Sequence, residues 1–252
     1  MDIQSHILRF RTNKRKQDRS NPLGFIGFMI AAILSIAAAG GVIYGVNRYT
    51  VITEDLPSPE QMEILLNPPD GSLLEPTRIF DQGGQVELWR FENPAVDYRH
   101  YTSITDGEML FFSDAPEFLI QATLAAIDLD YFQKPERFLV GIWDTGPDPI
   151  PNTLVEELLL WREKDHPNRD LRIHLLADQI VSRYGREKIL EWYLNSAYFG
   201  NQIYGVSQAA RFYFGKDLKS LDLAESALLA AVAKYPSLNP LDAPTAAKEN
   251  QE

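Results

Sequence analysis

The chain of 252 residues contains no cysteine. Disulfide bonds, cysteine-bound metal sites and thiol nucleophiles are therefore excluded. Charge is missing altogether from residues 24–46, and basic residues are scarce beyond that run. The whole chain has 24 basic and 35 acidic residues, of which seven basic and two acidic residues lie at or before Arg48. The part after Arg48 therefore has 17 basic and 33 acidic residues, a formal charge of −16. So acidic a part of the chain is a poor candidate for binding nucleic acid, because nothing in it would offset phosphate repulsion.

The uncharged run 24–46 predicts a transmembrane helix. About 23 helical residues span about 35 Å, enough to cross a hydrocarbon core of about 30 Å. Six basic residues precede the run: Arg9, Arg11, Lys14, Arg15, Lys16 and Arg19. By the positive-inside rule, residues 1–23 form a cytoplasmic tail and everything after Arg48 lies outside. A cleaved signal peptide is disfavoured because the run exceeds the usual ~7–15 residues and Asn47-Arg48-Tyr49 is no small-residue cleavage site.

Residues 47–114 predict a membrane-proximal stalk followed by a β-hairpin. The stalk stretch contains several prolines, which favour turns over core elements. Two β-prone runs then flank Gly83-Gly84, and this pattern is typical of a hairpin turn.

Residues 115–252 predict a mostly α-helical domain. A helix is expected to start near Pro116, and another near Asn152, with Thr153 and Glu156 as a capping box. Periodicity predicts further helices over 186–195 and 223–234, the second capped by Asp222 with Glu225 three residues later.

The stretch 191–200, followed by Tyr204-Gly205 and by 213–216, is the most specific signal in the chain. It resembles the central motif of the peptidoglycan glycosyltransferases, glycosyltransferase family 51, which polymerise lipid II alone or as the first domain of class A penicillin-binding proteins. The resemblance covers roughly Leu56 onward. It implies a mostly α, lysozyme-like helical glycosyltransferase domain with a small β-hairpin, preceded by one transmembrane helix. The transpeptidase motifs Ser-x-x-Lys and Lys-Thr-Gly are absent, as expected of a monofunctional version or of a truncated reading frame.

The resemblance places Asp128 at the general base. The family uses a glutamate in Glu-Asp-x-x-Phe-x-x-His-x-Gly, and Phe132 sets the register here. Aspartate keeps the carboxylate but draws it back by about 1 Å, and a misplacement of that size can cost about 100-fold. Asp128 could equally be a solvated acid at the end of a helix.

The second family motif, Gly-Gly-Ser-Thr-Ile-Thr-Gln-Gln-Leu, aligns with residues 150–158. Thr153 survives as a candidate substrate-binding residue. Glu156, where the family has glutamine, is a candidate displaced catalytic acid or an ordinary glutamate that completes a helix cap.

The third family motif, Arg-Lys-x-Lys-Glu, aligns with residues 169–173. Arg169 and Arg172 keep the basic positions that would hold the diphosphate, three residues apart on one helix face. The second family glutamate is replaced by Ile173, which can neither bind metal nor accept a proton. Asp170 is the one nearby acid that could stand in for it.

Three later polar residues are further candidates for substrate binding: Asn195, Tyr198 and Lys216. Polar groups amid apolar runs must find partners, although Lys216 could also be a plain solvated lysine. The resemblance further implies lipid II and the growing glycan strand as substrates, a divalent metal such as Mg²⁺ or Mn²⁺, and other cell-wall synthases as partners.

Two functional hypotheses follow. The first is a membrane-anchored glycosyltransferase of the plasma membrane that polymerises lipid II on the external face. The alternative is a catalytically impaired pseudoenzyme that binds lipid II or scaffolds active synthases. A lysozyme-like hydrolase on the related fold would also need a well-placed acid, and no residue favours it.

Overall fold

The computed structural model describes residues 22–68, 71–75, 77–91, 101–104, 116–134 and 148–242. The chain divides into two compact units, Met1–Glu54 and Asp55–Glu252. The predicted cytoplasmic tail up to residue 21 and the predicted domain boundary at 114/115 lie outside the described residues. Across the described ranges the chain is mostly helical with one two-stranded sheet, and this confirms the predicted fold class.

The first unit contains helix α1, Pro22–Thr53. Its span Gly24–Thr53 is long and apolar enough to cross a membrane. The helix runs seven residues past the predicted end at Val46, through a more polar turn. There the hydroxyl groups of Thr50 and Thr53 donate to the carbonyl oxygens of Asn47 and Tyr49, at 2.8 and 2.9 Å.

The second unit begins with a short helix, α2, Gln61–Leu66, within the predicted stalk. Its Met62 and Leu66 side chains are fully buried in the core of the helical body. The indole nitrogen of Trp192 donates to Asn67 Oδ1 at 3.3 Å just beyond the helix. This part of the stalk is therefore a packed element of the domain.

The predicted hairpin is confirmed as strands β1, Thr77–Phe80, and β2, Glu87–Phe91, which pair antiparallel with a bulge between Ile79 and Phe80. The carboxylate of Asp81 closes the turn by accepting the backbone N–H groups of Gln85 and Val86 at 2.9 and 3.0 Å. Every residue of both strands is exposed.

The helical body follows the hairpin. It contains α3, Glu117–Ile127; α4, Pro149–Leu154, which continues into a π-helical turn, Val155–Leu159; α5, Arg169–Ser196; α6, Val206–Phe214; and α7, Leu223–Lys234. Helix α3 packs on α7, and α4 packs on α5. The largest side chains of the core are those of Trp192, Tyr131 and Phe199.

The two predicted capping boxes had different outcomes. The box of α7 is confirmed: Asp222 accepts from the Glu225 backbone at 2.8 Å, and Glu225 accepts from the Asp222 backbone at 2.9 Å. The box of Thr153 with Glu156 is wrong, because α4 already begins at Pro149 and Thr153 lies inside it. Proline suits the first turn of a helix because its φ is already helical, and this moves the start three residues upstream.

Helix α5 is also longer than predicted. The expected helix over 186–195 is its second half, and the first half starts at Arg169. The two halves meet at Gly185, whose φ of 76° and ψ of 161° interrupt the helical backbone. Glycine adopts positive φ without the steric cost of a Cβ atom, so the sequence permits this break.

Gly205, which precedes α6, should tolerate no side chain. Its φ is 87° and its ψ is 140°, and an added Cβ would lie 3.0 Å from the carbonyl oxygen of Asn195. We expect Gly205→Ala to lower the free energy of unfolding by about 2–3 kcal/mol, because backbone strain and a steric contact add. Thermal unfolding of the detergent-solubilised chain, followed by circular dichroism, measures this.

Gly215 offers the matched control. Its φ of 65° and ψ of 22° are left-handed helical, and an added Cβ would meet open space. Gly215→Ala should therefore cost only about 1 kcal/mol. Equal losses from the two variants would contradict the role given to the Asn195 carbonyl contact.

Candidate active site

Asp128, the predicted general base, lies at the carboxyl end of α3. Its backbone N–H closes the helix on the carbonyl oxygen of Leu124 at 2.8 Å, and the residue is only 9% exposed. The short 3₁₀ turn Tyr131–Gln133 brings Lys134 back to it, and the Lys134 ammonium forms an ion pair with Asp128 Oδ2. A base must face its proton donor at about 2.6–3.2 Å. One oxygen of this carboxylate faces a cation of the chain itself.

Lys134 links Asp128 to a second buried ion pair. Its ammonium lies 3.8 Å from Asp148 Oδ1, and Asp148 accepts from both terminal nitrogens of Arg186, at 3.3 and 3.0 Å. Charges of alternating sign thus connect the end of α3, the start of α4 and the second half of α5. We call these four residues the charge network.

Tyr131 contacts the charge network through Arg186. The guanidinium group of Arg186 lies 5.0 Å from the centre of the Tyr131 ring, and the Tyr131 hydroxyl donates to the Arg186 carbonyl oxygen at 2.8 Å. Burial raises the pKa of Tyr131 well above its ordinary value, so the hydroxyl stays a donor at neutral pH.

The two basic residues predicted to hold a diphosphate are both paired with acids of this chain. Arg169 lies 2.8 Å from Glu156, the candidate displaced acid. Arg172 is 3% exposed and donates to both carboxylate oxygens of Glu163, at 2.7 and 2.8 Å. A bidentate pair of this kind is strong and fixed in geometry. Glu156 and Asp128 therefore belong to different ion pairs.

Ile173, at the position of the second family acid, is 5% exposed and belongs to the hydrophobic core. Asp170, the proposed substitute, lies exposed on the first turn of α5. It borders a surface cavity of about 400 Å³ lined by Lys164, His166, Pro167, Asn168, Arg169 and Leu171. Residue 173 thus belongs to the core, and the acid at position 170 lies on the surface.

Asn195 holds a neighbouring segment of the chain. It accepts from the Thr102 backbone N–H at 2.7 Å, and its amide donates to the carbonyl oxygens of Thr102 and Glu191, both at 2.8 Å. The polar partner that the sequence required for Asn195 is therefore the backbone of residues 101–104. A role toward substrate stays a prediction.

Glu191 anchors the same segment one turn earlier. Its carboxylate accepts from the Tyr101 hydroxyl at 2.5 Å, the Ile104 N–H at 2.9 Å, the Ser103 hydroxyl at 3.2 Å and the Lys188 ammonium at 2.6 Å. Burial alone would raise the pKa of Glu191. The hydrogen bonds from Lys188, Tyr101 and Ile104 outweigh burial and lower it.

The remaining predicted site residues are Tyr198, Lys216 and Thr153. The ring of Tyr198 is 4.9 Å from that of Tyr204, and both side chains are partly exposed. Lys216 pairs with Glu225 at 2.6 Å, and this hydrogen bond raises the pKa of Lys216. Thr153 lies half-buried in the last turns of α4. Their roles toward substrate stay predictions.

Sequence reasoning missed Lys134, Asp148, Arg186 and Glu191. Glu191 carries a charge within the apolar run 189–194, and this signal could have marked it as buried and paired. Arg186 begins a run of three charged residues, so the sequence did not mark it as buried. Asp148 stands before a proline and looked like an ordinary turn residue. Lys134 carried no signal in the sequence.

A divalent metal was also predicted. Within the described ranges, no group of three His, Asp or Glu side chains is arranged to hold a metal ion. The position that would supply the family carboxylate is the buried Ile173. The residues described here therefore do not fit the implied metal.

Comparison with known proteins gives a consistent family. A transglycosylase family model matches residues 141–252. Penicillin-binding protein 1A of Rickettsia felis is 30% identical over 232 residues, covering 86% of this chain and 27% of that protein. Penicillin-binding protein 1A of Pseudomonas aeruginosa is 34% identical over 162 residues, covering 58% of this chain and 20% of that protein.

A crystal structure of penicillin-binding protein 1A from Haemophilus influenzae also matches, at 23% identity and a TM-score of 0.35, covering 71% of this chain and 17% of that one. The chain thus spans about a quarter of the length of the curated relatives, or less.

Proposed function

We propose a role in peptidoglycan synthesis for this chain, which belongs to the peptidoglycan glycosyltransferases, glycosyltransferase family 51, through its transglycosylase domain. Its role is that of a catalytically impaired member that binds lipid II or scaffolds active synthases. The observation that carries this proposal is Ile173, a buried core residue where the reaction needs a second acid.

The chemistry explains why the substitution matters. A base takes the proton of the acceptor sugar hydroxyl, and the hydroxyl oxygen bonds to the donor sugar carbon with inversion. The bond from that carbon to the diphosphate breaks, and the leaving diphosphate needs positive charge. Loss of a general base alone typically costs about 10²–10⁴-fold.

The paired charges support the same conclusion. Asp128 is engaged by Lys134, and the basic residues Arg169 and Arg172 are engaged by Glu156 and Glu163. Polymerisation would require each of these pairs to open, at a cost in binding energy. Binding of lipid II, unlike its polymerisation, makes no demand for a second acid.

Membrane anchoring is the second part of the proposal. Helix α1 has the length and composition of a spanning helix, and the six basic residues before it favour a cytoplasmic N-terminus. The protein is then a single-pass protein of the plasma membrane with its helical domain on the external face.

A working polymerase is the alternative, and Asp148 favours it. The Lys134 ammonium lies within 4 Å of both Asp128 and Asp148. Two carboxylates on one cation could act as base and second acid if Lys134 moved aside. In that case Asp148 would replace the lost family glutamate.

The deciding experiment is polymerisation of fluorescent lipid II by the detergent-solubilised chain with Mg²⁺ or Mn²⁺, with lipid II binding measured in parallel. We expect binding without polymer from the native protein, at least about 100-fold below a polymerising family member. Asp128→Asn should change neither result. Ile173→Glu, with Ile173→Gln as the matched control, tests whether the missing acid is the cause.

Polymer from the native protein that Asp128→Asn abolishes would refute the impaired role, and loss through Asp148→Asn would then identify the second acid. Polymer from Ile173→Glu and none from Ile173→Gln would show that the native protein fails to polymerise lipid II because residue 173 is not an acid. Thermal melts of both variants are required, because either substitution puts a polar group into the core.

A further inference from the structure

The hairpin has two chemically different faces. Residues directly opposite each other in an antiparallel pair share a face, and the pairs alternate between faces. Thr77 lies opposite Phe91 and Ile79 opposite Trp89. These four residues form one face, which we call the apolar face.

The other face carries the charged residues together with Phe80, which lies opposite Glu87 and is 45% exposed. Arg78 lies opposite Arg90, and Glu87 contacts both guanidinium groups, at 3.9 and 3.0 Å. The two faces therefore differ in charge: the arginines and Glu87 lie on one, and the other carries no charged residue. A single pair of strands is at best marginally stable in water by itself.

The apolar face is open to its surroundings. Ile79 is 44%, Trp89 63% and Phe91 58% exposed. Adjacent exposed aromatic and aliphatic side chains are uncommon on a soluble surface, because each retains an unfavourable contact with water. The face is therefore a candidate contact surface for an apolar partner.

The size of the face argues against a second copy of the chain as the cover. The three large side chains together expose on the order of 300 Å². A stable dimer needs roughly 600–1,000 Å² from each partner. A lipid surface has no such minimum, since each inserted side chain contributes by itself.

Charge favours lipid as well. The hairpin 77–91 carries two arginines and two acids and is neutral. The part of the chain after Arg48 has a formal charge of −16, so most of its surface is repelled by anionic headgroups. The hairpin is neutral and carries tryptophan and phenylalanine on one face and arginine on the other. This composition suits the interfacial layer of a bilayer, where aromatic rings and the guanidinium groups of arginine are both favoured.

We propose that the apolar face of the hairpin inserts into the outer interface of the lipid bilayer. The proposal rests on the membrane anchor of the proposed function, because an anchored chain holds the hairpin at a high effective concentration of lipid. Its consequence is a second membrane contact, outside the helical anchor, that restrains the external domain at the surface.

The absence of cysteine makes a direct test available, since a single introduced cysteine is the only thiol in the chain. A nitroxide label on Thr77→Cys reports the apolar face while keeping all three large side chains. Arg78→Cys, the adjacent residue on the opposite face, is the matched control. Ile36→Cys in α1 reports the anchor separately.

Each full-length variant is reconstituted in vesicles of phosphatidylcholine with a minority of phosphatidylglycerol. Collisions of the label with oxygen, which concentrates in lipid, are compared with collisions with a water-soluble nickel chelate. We expect residues 77 and 36 to shift toward oxygen and residue 78 to stay accessible to nickel. Adding Trp89→Ser and Phe91→Ser should return the label at residue 77 to water.

A label at residue 77 that stays accessible to nickel overturns the proposal, whether residue 36 lies in lipid or not. A label there that is immobilised yet reached by neither reagent means that protein covers the face, and this also overturns it. If only the label at residue 36 lies in lipid, the membrane anchor is supported and the hairpin contact is refuted. A label at 77 that stays in lipid after the Trp89 and Phe91 changes would refute the role of the apolar face.

Discussion

Asp148→Ala should lower the free energy of unfolding by about 3–5 kcal/mol, because it leaves the buried guanidinium of Arg186 without its carboxylate. Arg186 is 8% exposed, and both of its terminal nitrogens donate to Asp148. The substitution also removes one of the two carboxylates beside Lys134. Denaturant unfolding of the full chain in detergent measures the loss.

Two controls separate the buried pair from charge removal in general. Asp148→Ala combined with Arg186→Met should cost less than Asp148→Ala alone, since the uncompensated charge is gone. Asp217→Ala breaks the exposed pair with Arg211 and should cost no more than about 0.5 kcal/mol. A double variant that is less stable than the single one would contradict the ion-pair explanation.

Glu191→Ala should be the second large loss, at about 3 kcal/mol. The substitution leaves the Ile104 N–H and the Tyr101 hydroxyl without their acceptor, and the Lys188 ammonium loses its carboxylate partner. Unsatisfied buried donors cost about 1–3 kcal/mol each, more when a charge is involved. The segment 101–104 should become susceptible to limited proteolysis, which gives a local readout beside global unfolding.

Glu191→Gln is the matched control and predicts a pH dependence. The pKa of Glu191 is lowered in the folded protein from an ordinary value of 4.5. A lowered folded pKa contributes stability that is present above the unfolded pKa and is lost as pH falls through the folded one. The native protein should therefore exceed Glu191→Gln in stability at pH 7, and the difference should shrink below about pH 4.5. A difference that does not change with pH would refute the ionised hydrogen-bonded state.

Both predictions concern charged residues that hold the fold, and they bear on function. The charge network reaches Asp128, the candidate base, through Lys134, so the same contacts that join α3, α4 and α5 also occupy that carboxylate. A carboxylate held in such an ion pair contributes to the stability of the fold even where it does not act as a catalytic base. Asp128→Asn should then change stability more than it changes polymerisation.

The family and most elements were readable from the sequence because they depend on local patterns. The uncharged run predicted α1, the Gly-Gly turn predicted the hairpin, and Asp222 with Glu225 predicted the start of α7. Each of these signals lies within a few residues of the structure that it specifies, so chain neighbours alone decide it. The motif over 191–200 likewise identified the family without any knowledge of contacts.

Tertiary structure decided which charges meet. Asp148 and Arg186 are 38 residues apart in the chain, and Glu191 binds a segment nearly 90 residues before it. No local pattern encodes such pairs, since they depend on how the helices pack. The sequence by itself determined a helical member of the family, and the resemblance predicted one altered acid and one missing acid. Only the packing showed that the remaining acid and both basic residues already bind partners within the chain, because burial forces each charge to find its opposite.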